Sequence, residues 1–128
     1  MIQIDLMSRV PIYEQIIEQI RRLILTGLLQ PLERMPSVRS LSVELSVNPN
    51  TIQRAYAELC SQSVLCTAVG RGCFVAEDAP ERVRSGAQRL LQEVRELTEK
   101  LAIAEYPKKE LIRLVEEVYR KEGTKQRD

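Results

Sequence analysis

Histidine is absent from this 128-residue chain, and cysteine occurs only as Cys60, Cys66 and Cys73. Without histidine, the usual zinc-ligand spacings and most nucleophile and base pairs cannot be assembled. Aspartate is sparse as well, at Asp5, Asp78 and Asp128, and no glycine-rich phosphate loop ends in a lysine. The chain is therefore read as not an enzyme, with no metal and no cofactor. Long apolar runs are lacking, because Glu, Gln and Arg interrupt every apolar cluster. The N-terminal stretch also has no basic region leading into a small-residue cleavage site, so the expectation is a cytoplasmic protein with no membrane partner. Net charge is missing too: 19 basic side chains against 18 acidic ones leave +1. No global field announces a nucleic-acid partner, and any phosphate contact must rest on local placement.

What is present is 44% hydrophobic content in a length that suits one domain plus an accessory element. From Pro11 to Thr26, Ile12, Ile16, Ile20, Leu23 and Ile24 recur at helical spacing, with Glu14, Gln15, Glu18, Gln19, Arg21 and Arg22 between them. Pro11 suits a helix start and Gly27 a left-handed cap at its end. Pro31 and Pro36 then forbid a continuous helix, and Ser37 is placed to cap a second one running to about Ser46. Its buried face is Val38, Leu41 and Leu45, which leaves Arg39, Ser40 and Ser42 pointing elsewhere.

The pattern breaks at Val47-Asn48-Pro49 and resumes at once, which reads as a tight turn between packed helices, with Asn48 as cap and Pro49 in the first turn. The third helix buries Ile52, Ala55, Tyr56 and Leu59 and shows Asn50, Thr51, Gln53, Arg54 and Ala57 on its other face. After Ser63, "VLCTAVGRGCFVA" reads as two short strands around Gly70-Arg71-Gly72. Three helices followed by a hairpin predict a winged helix-turn-helix over residues 1–78. The ordinary reading of the cysteines is as small packed groups. A thiol switch would fall to Cys66 and Cys73, near one another in the hairpin.

Asp78-Ala79-Pro80 predicts a break between two elements. Beyond it, Val83, Ala87, Leu90, Val94, Leu97 and Leu101 alternate by four and three, the spacing of a coiled-coil seam. A further helix follows Pro107, with Leu111, Ile112, Leu114, Val115, Val118 and Tyr119 apolar. The fold class is thus mainly α, with residues 79–128 forming a two-helix dimerisation tail that makes a homodimer.

A recognition helix works by lying in the major groove, where base edges present distinguishable donors and acceptors. Asn50, Gln53 and Arg54 have the chemistry for base edges or phosphates, and Thr51 for a phosphate or a thymine methyl. A solvated helix face would carry similar groups, so an interaction module gripping a protein is the rival reading. Arg39 has Val43 one turn on, so no local ion pair accounts for it. Arg71, flanked by glycines at the hairpin tip, is suited to a minor groove or a phosphate.

"PIYEQIIEQIRRLILTG", "MPSVRSLSVELSVNPNTIQRAYAEL" and "GRGCFV", in that order, resemble the DNA-binding domain of GntR-family bacterial transcription regulators. The short helical tail resembles the YtrA-like branch of that family. The resemblance implies a homodimeric regulator, expected to be a repressor, on a pseudo-palindromic double-stranded DNA operator. It also implies that Arg39, Asn50, Thr51, Gln53 and Arg54 surround the reading surface, with Asn48 and Pro49 at its start and Gly70 at the wing contact. The sequence carries no signature for a small-molecule effector. It departs from the family at Leu32 and Ser63, where glycine is common, and at Cys73, where threonine is common.

Overall fold

A computed structural model describes residues 2–127. Its elements are α1 (Ile12–Leu25), α2 (Val38–Leu45), α3 (Pro49–Ser61), β1 (Leu65–Ala68), β2 (Gly72–Val75), α4 (Ala79–Ile103) and α5 (Lys108–Arg127). This is the expected winged helix-turn-helix followed by two helices.

Ile16, Ile17, Ile20 and Ile24 give α1 one buried stripe, a helix-period face that meets Ile52, Ala55, Tyr56 and Leu59 of α3. Leu41 of α2 and Leu65 and Val75 of the hairpin complete the core. Gly27, at φ 83°, ends α1 as the sequence foretells. Pro11 stands at the cap position just before the first turn.

The polar face of α1 has a use that its spacing does not reveal. The Gln3 amide donates to Gln19 Oε1 at 2.8 Å, and the Asp5 amide donates to Gln15 Oε1 at 2.9 Å. These bonds bind an N-terminal strap along α1, so that Ile2 and Ile4 pack against the core. Glutamine suits this role because one side chain supplies both an acceptor and a donor to the extended backbone, and the Gln15 amide group returns a bond to the Asp5 carbonyl at 3.1 Å.

The loop before α2 extends the hairpin. Leu32 and Met35 amides donate to the carbonyls of Val75 and Cys73, and the Val75 amide donates to Glu33 O. Arg34 bridges Phe74 within this run. Both departures at positions where the family commonly has glycine fall on left-handed backbone, Leu32 at φ 70° and Ser63 at φ 61°. An L side chain there costs about 1–2 kcal/mol, partly offset by the lower unfolded-state entropy of a non-glycine residue. Because Leu32 is 64% exposed, Leu32→Gly is expected to stabilise the fold by about 0.5–1 kcal/mol. Thermal unfolding of the two proteins checks this, and an unchanged midpoint would show that the left-handed cost and the entropy of the added glycine cancel.

The expected break at Asp78-Ala79-Pro80 is not a linker. Ala79 is fully buried, Val83 packs against the winged-helix core, and α4 runs through Pro80, which sits in its first turn where no amide donor is required. The N-terminal compact unit accordingly extends to Gly86, and the second begins at Ala87. Within the second unit, α4 ends in a left-handed Glu105 at φ 60°, with the Tyr106 amide closing onto Leu101 O at 3.0 Å. Its helices leave their apolar side chains uncovered: Leu90 is 56%, Leu97 60% and Tyr119 76% exposed.

Candidate nucleic-acid interface

The turn between α2 and α3 is built from local hydrogen bonds. Ser37 caps α2 by accepting from the Ser40 amide at 3.0 Å, and Asn48 Oδ1 caps α3 by accepting from the Asn50 amide at 2.8 Å. Ser46 turns the chain through φ 55°. Ser42, expected to point away from the core, is instead buried. Its hydroxyl donates to Val47 O at 2.5 Å, so a side chain small enough to enter the turn locks it from inside.

Tyr56 fixes α2 against α3. Its ring is in the core and its hydroxyl donates to Pro36 O at 2.8 Å, just before Ser37. Burial pushes the phenol well above its usual range, with the nearby Cys73 thiol adding to the rise. It therefore remains a donor at all ordinary pH.

On this frame Asn50, Gln53, Arg54 and Ala57 are exposed, and Thr51 is half-buried beside them. The side chains of Asn50 and Gln53 have no hydrogen-bond partner among the described residues. Arg39 is exposed in the first turn of α2 and pairs with no carboxylate among the described residues. Asn48 differs from these, since its carbonyl oxygen is already occupied by the cap. Arg54 is also engaged: its Cζ lies 3.7 Å from the centroid of the Tyr13 ring.

The wing tip is an open turn in which the Arg71 amide donates to Ala68 O at 2.9 Å. Gly70 at φ 77° and Gly72 at φ 106° both use backbone that side chains avoid. A Cβ on Gly72 would stand 3.3 Å from Arg34 Nε, so the missing side chain lets the Arg34 guanidinium lie against the wing. Arg34 and Tyr13 are the two residues of this surface that sequence reasoning missed. Nothing in the spacing around Arg34 marks it, because loop pairing onto β2 is what brings it there. Tyr13 precedes the buried stripe of α1, and its contact with α3 follows from helix packing alone.

The cysteines are arranged differently from the hairpin expectation. Strand register pairs Cys66 with Phe74 and Thr67 with Cys73. Side chains alternate along a strand, so Cys66 and Cys73 occupy opposite faces of the hairpin. Cys73 and Cys60 of α3 both pack against the core, and Cys60 is the thiol that acts on Cys73 most strongly. Burial, then the neighbouring Cys60, push Cys73 up to about 12, and burial also raises Cys60. Neither is a ready thiolate at neutral pH, which fits thiols used as packing groups.

No helix among the described residues is long and apolar enough to cross a membrane. Residues 12–75, the span from α1 to the end of β2, match the bacterial regulatory proteins of the gntR family. The chain is 40% identical over 116 residues to the HTH-type transcriptional repressor YtrA of Bacillus subtilis (strain 168), covering 91% of this chain and 88% of that protein. Among solved structures it is similar to YtrA from Sulfolobus acidocaldarius, a GntR-family transcription factor. The TM-score is 0.57 at 37% identity, across 71% of this chain and 97% of that one. It is also similar to AraR(DBD) in complex with operator ORX1, at TM-score 0.52 and 32% identity, across 57% of this chain and 90% of that one. These relatives are transcription regulators rather than enzymes. With its turn, α3 and glycine-tipped wing in the matched span, the chain belongs to the GntR family of bacterial regulatory proteins.

Proposed function

We propose that this protein is a sequence-specific repressor that binds a pseudo-palindromic double-stranded DNA operator as a homodimer. In this reading α3 enters the major groove with Asn50, Thr51, Gln53 and Arg54 towards the bases and phosphates. Asn48 stands at the helix start, Arg39 reaches the adjoining backbone or a guanine, and Gly70 and Arg71 bring the wing to the neighbouring groove. The observation that carries the reading is the exposed polar face of α3, with Asn50 and Gln53 unpartnered on a helix whose cap, turn and tyrosine clamp leave it little freedom. The operator complex of the similar AraR domain supports the same use of the fold.

Dimerisation is assigned to the C-terminal helices through Ala87, Leu90, Val94, Leu97 and Leu101, with Val83 at the root of α4. Leucine and valine left half-exposed along a helix gain about 25 cal/mol for each Å² removed from water, and a second copy offers the matching stripe. The winged unit is nearly neutral, so one copy makes few phosphate contacts. Two tethered copies gain effective concentration and a fixed half-site spacing.

Selection from a random duplex library with the purified protein, at two salt concentrations, tests the reading. A two-fold symmetric motif, retained less strongly at the higher salt, is the expected result. Absence of any enriched motif at low salt would favour a winged-helix module that grips a protein without specific DNA binding.

A further inference from the structure

Arg54 is exposed on α3, yet its guanidinium is held. Its Cζ lies 3.7 Å from the centroid of Tyr13, in the first turn of α1. No carboxylate pairs with Arg54 among the described residues, so the ring is the partner that orients it. Tyr13 is itself well anchored: it packs against the core beside the buried stripe of α1, and its hydroxyl donates to Glu14 Oε1 at 3.2 Å.

A planar guanidinium stacked on an aromatic ring uses its face for that contact and keeps its edge N–H groups available. Those edges are what guanine O6 and N7 accept as a bidentate pair. An arginine free in solvent must give up rotamer freedom to make that pair, whereas one already stacked has given up much of it on folding. A recognition arginine thus has a fixed aim where a neighbouring group holds it, and here that support comes from α1.

We propose that Tyr13 is a specificity-determining positioning residue, whose ring presets Arg54 of α3 for bidentate reading of a base. The inference rests on the assignment of α3 as the recognition helix. It makes α1 a contributor to sequence discrimination without contact to a base edge. It also separates two roles of Tyr13 that packing alone would merge, filling space beside the core and offering a π face to a cation.

The full-length protein and its Arg54→Ala, Tyr13→Leu and Tyr13→Phe variants are each taken through selection from the same random duplex library at one salt concentration. Base preferences are then compared position by position. Leucine fills the space but has no ring face, whereas phenylalanine keeps the face and loses only the hydroxyl. With the wild-type motif in hand, Arg54→Ala should flatten one position in each half-site. Tyr13→Leu should lower the preference at that same position by about two- to fivefold, leaving the others as they were, and Tyr13→Phe should retain it. Thermal unfolding follows each variant, and Tyr13→Met replaces Tyr13→Leu if the latter is not folded.

The proposal is overturned if Tyr13→Leu keeps the Arg54-dependent preference, or if it weakens all positions equally as a packing defect would. It is also overturned if Tyr13→Phe loses as much as Tyr13→Leu, or if Arg54→Ala alters no position. A wild-type protein that enriches no motif removes the DNA-reading assignment itself. That result is distinct from a wild-type motif to which Tyr13 is indifferent.

Discussion

Arg39→Ala is expected to weaken binding to the selected operator by about 30-fold or more, with little change in folding. Each half-site loses one cationic contact worth about 1–3 kcal/mol when it reads a guanine, and a two-fold symmetric complex loses it twice. The side chain is exposed, pairs with no carboxylate among the described residues, and lies outside the core, so stability should stay within about 0.5 kcal/mol of wild type. A gel-shift titration of both proteins at several salt concentrations separates the two chemistries open to it. Loss confined to the cognate sequence with relaxed preference at one position identifies a base contact. Uniform loss on all sequences with a shallower salt dependence identifies a phosphate contact. Unchanged affinity would remove Arg39 from the DNA-facing surface.

The double variant Leu90→Glu/Leu97→Glu is expected to turn a dimer into a monomer, and operator affinity should fall by about 10²- to 10⁴-fold with it. Both leucines are more than half exposed on α4 in a single chain, so their replacement leaves the winged-helix core intact. With 56% and 60% of their surfaces still exposed in one chain, two leucines from each copy together contribute about 3.5–7 kcal/mol of transfer free energy in a symmetric interface. That is a large share of the about 8–12 kcal/mol that hold a micromolar to nanomolar dimer together, and carboxylates facing across the seam add repulsion. Sedimentation equilibrium reads the assembly state, and titration against operator and half-site duplexes reads the affinity. A variant that remains dimeric would move the interface away from this stripe. A wild-type protein that is monomeric would remove the homodimer and leave the apolar faces of α4 and α5 to another partner.

Much of this architecture is legible in the chain because it is written in local chemistry. Ser37 and Asn48 cap their helices, Pro49 opens α3 and Gly27 closes α1, since each satisfies or avoids an orphan backbone group within a few residues of itself. The buried faces of α1 and α3 follow from the 3.6-residue period. The exposed face of α3, and with it most of the candidate site, follows by complement. The apolar positions of α4 are legible for the same reason, although where the winged-helix unit ends is not. Val83 satisfies the four-three spacing equally well whether it meets a partner helix or the core, and only packing shows that it meets the core.

What escaped the sequence required contacts between segments far apart in the chain. Ser42 looks like any solvated helix serine until the left-handed Ser46 brings the Val47 carbonyl within reach of its hydroxyl. Gln15 and Gln19 look like a solvent face until a strap lies along them. Cys66 and Cys73 are close in sequence, but a strand places alternate residues on opposite faces, and Cys73 packs on the core side with Cys60 instead.

The amino-acid sequence by itself determined the kind of protein: helices with their caps, a glycine-tipped hairpin, a polar face on α3 and an apolar tail. These depend on periodicity, backbone preference and hydrogen-bond satisfaction over a few residues. Only the tertiary structure decided how the polar face of α3 is supported. Tyr13 under Arg54, Arg34 against Gly72 and Tyr56 tied to Pro36 are each joined by the packing of one element on another. No local pattern encodes such contacts, because side chains at the same period can face any neighbour until the core fixes the angle at which the elements meet.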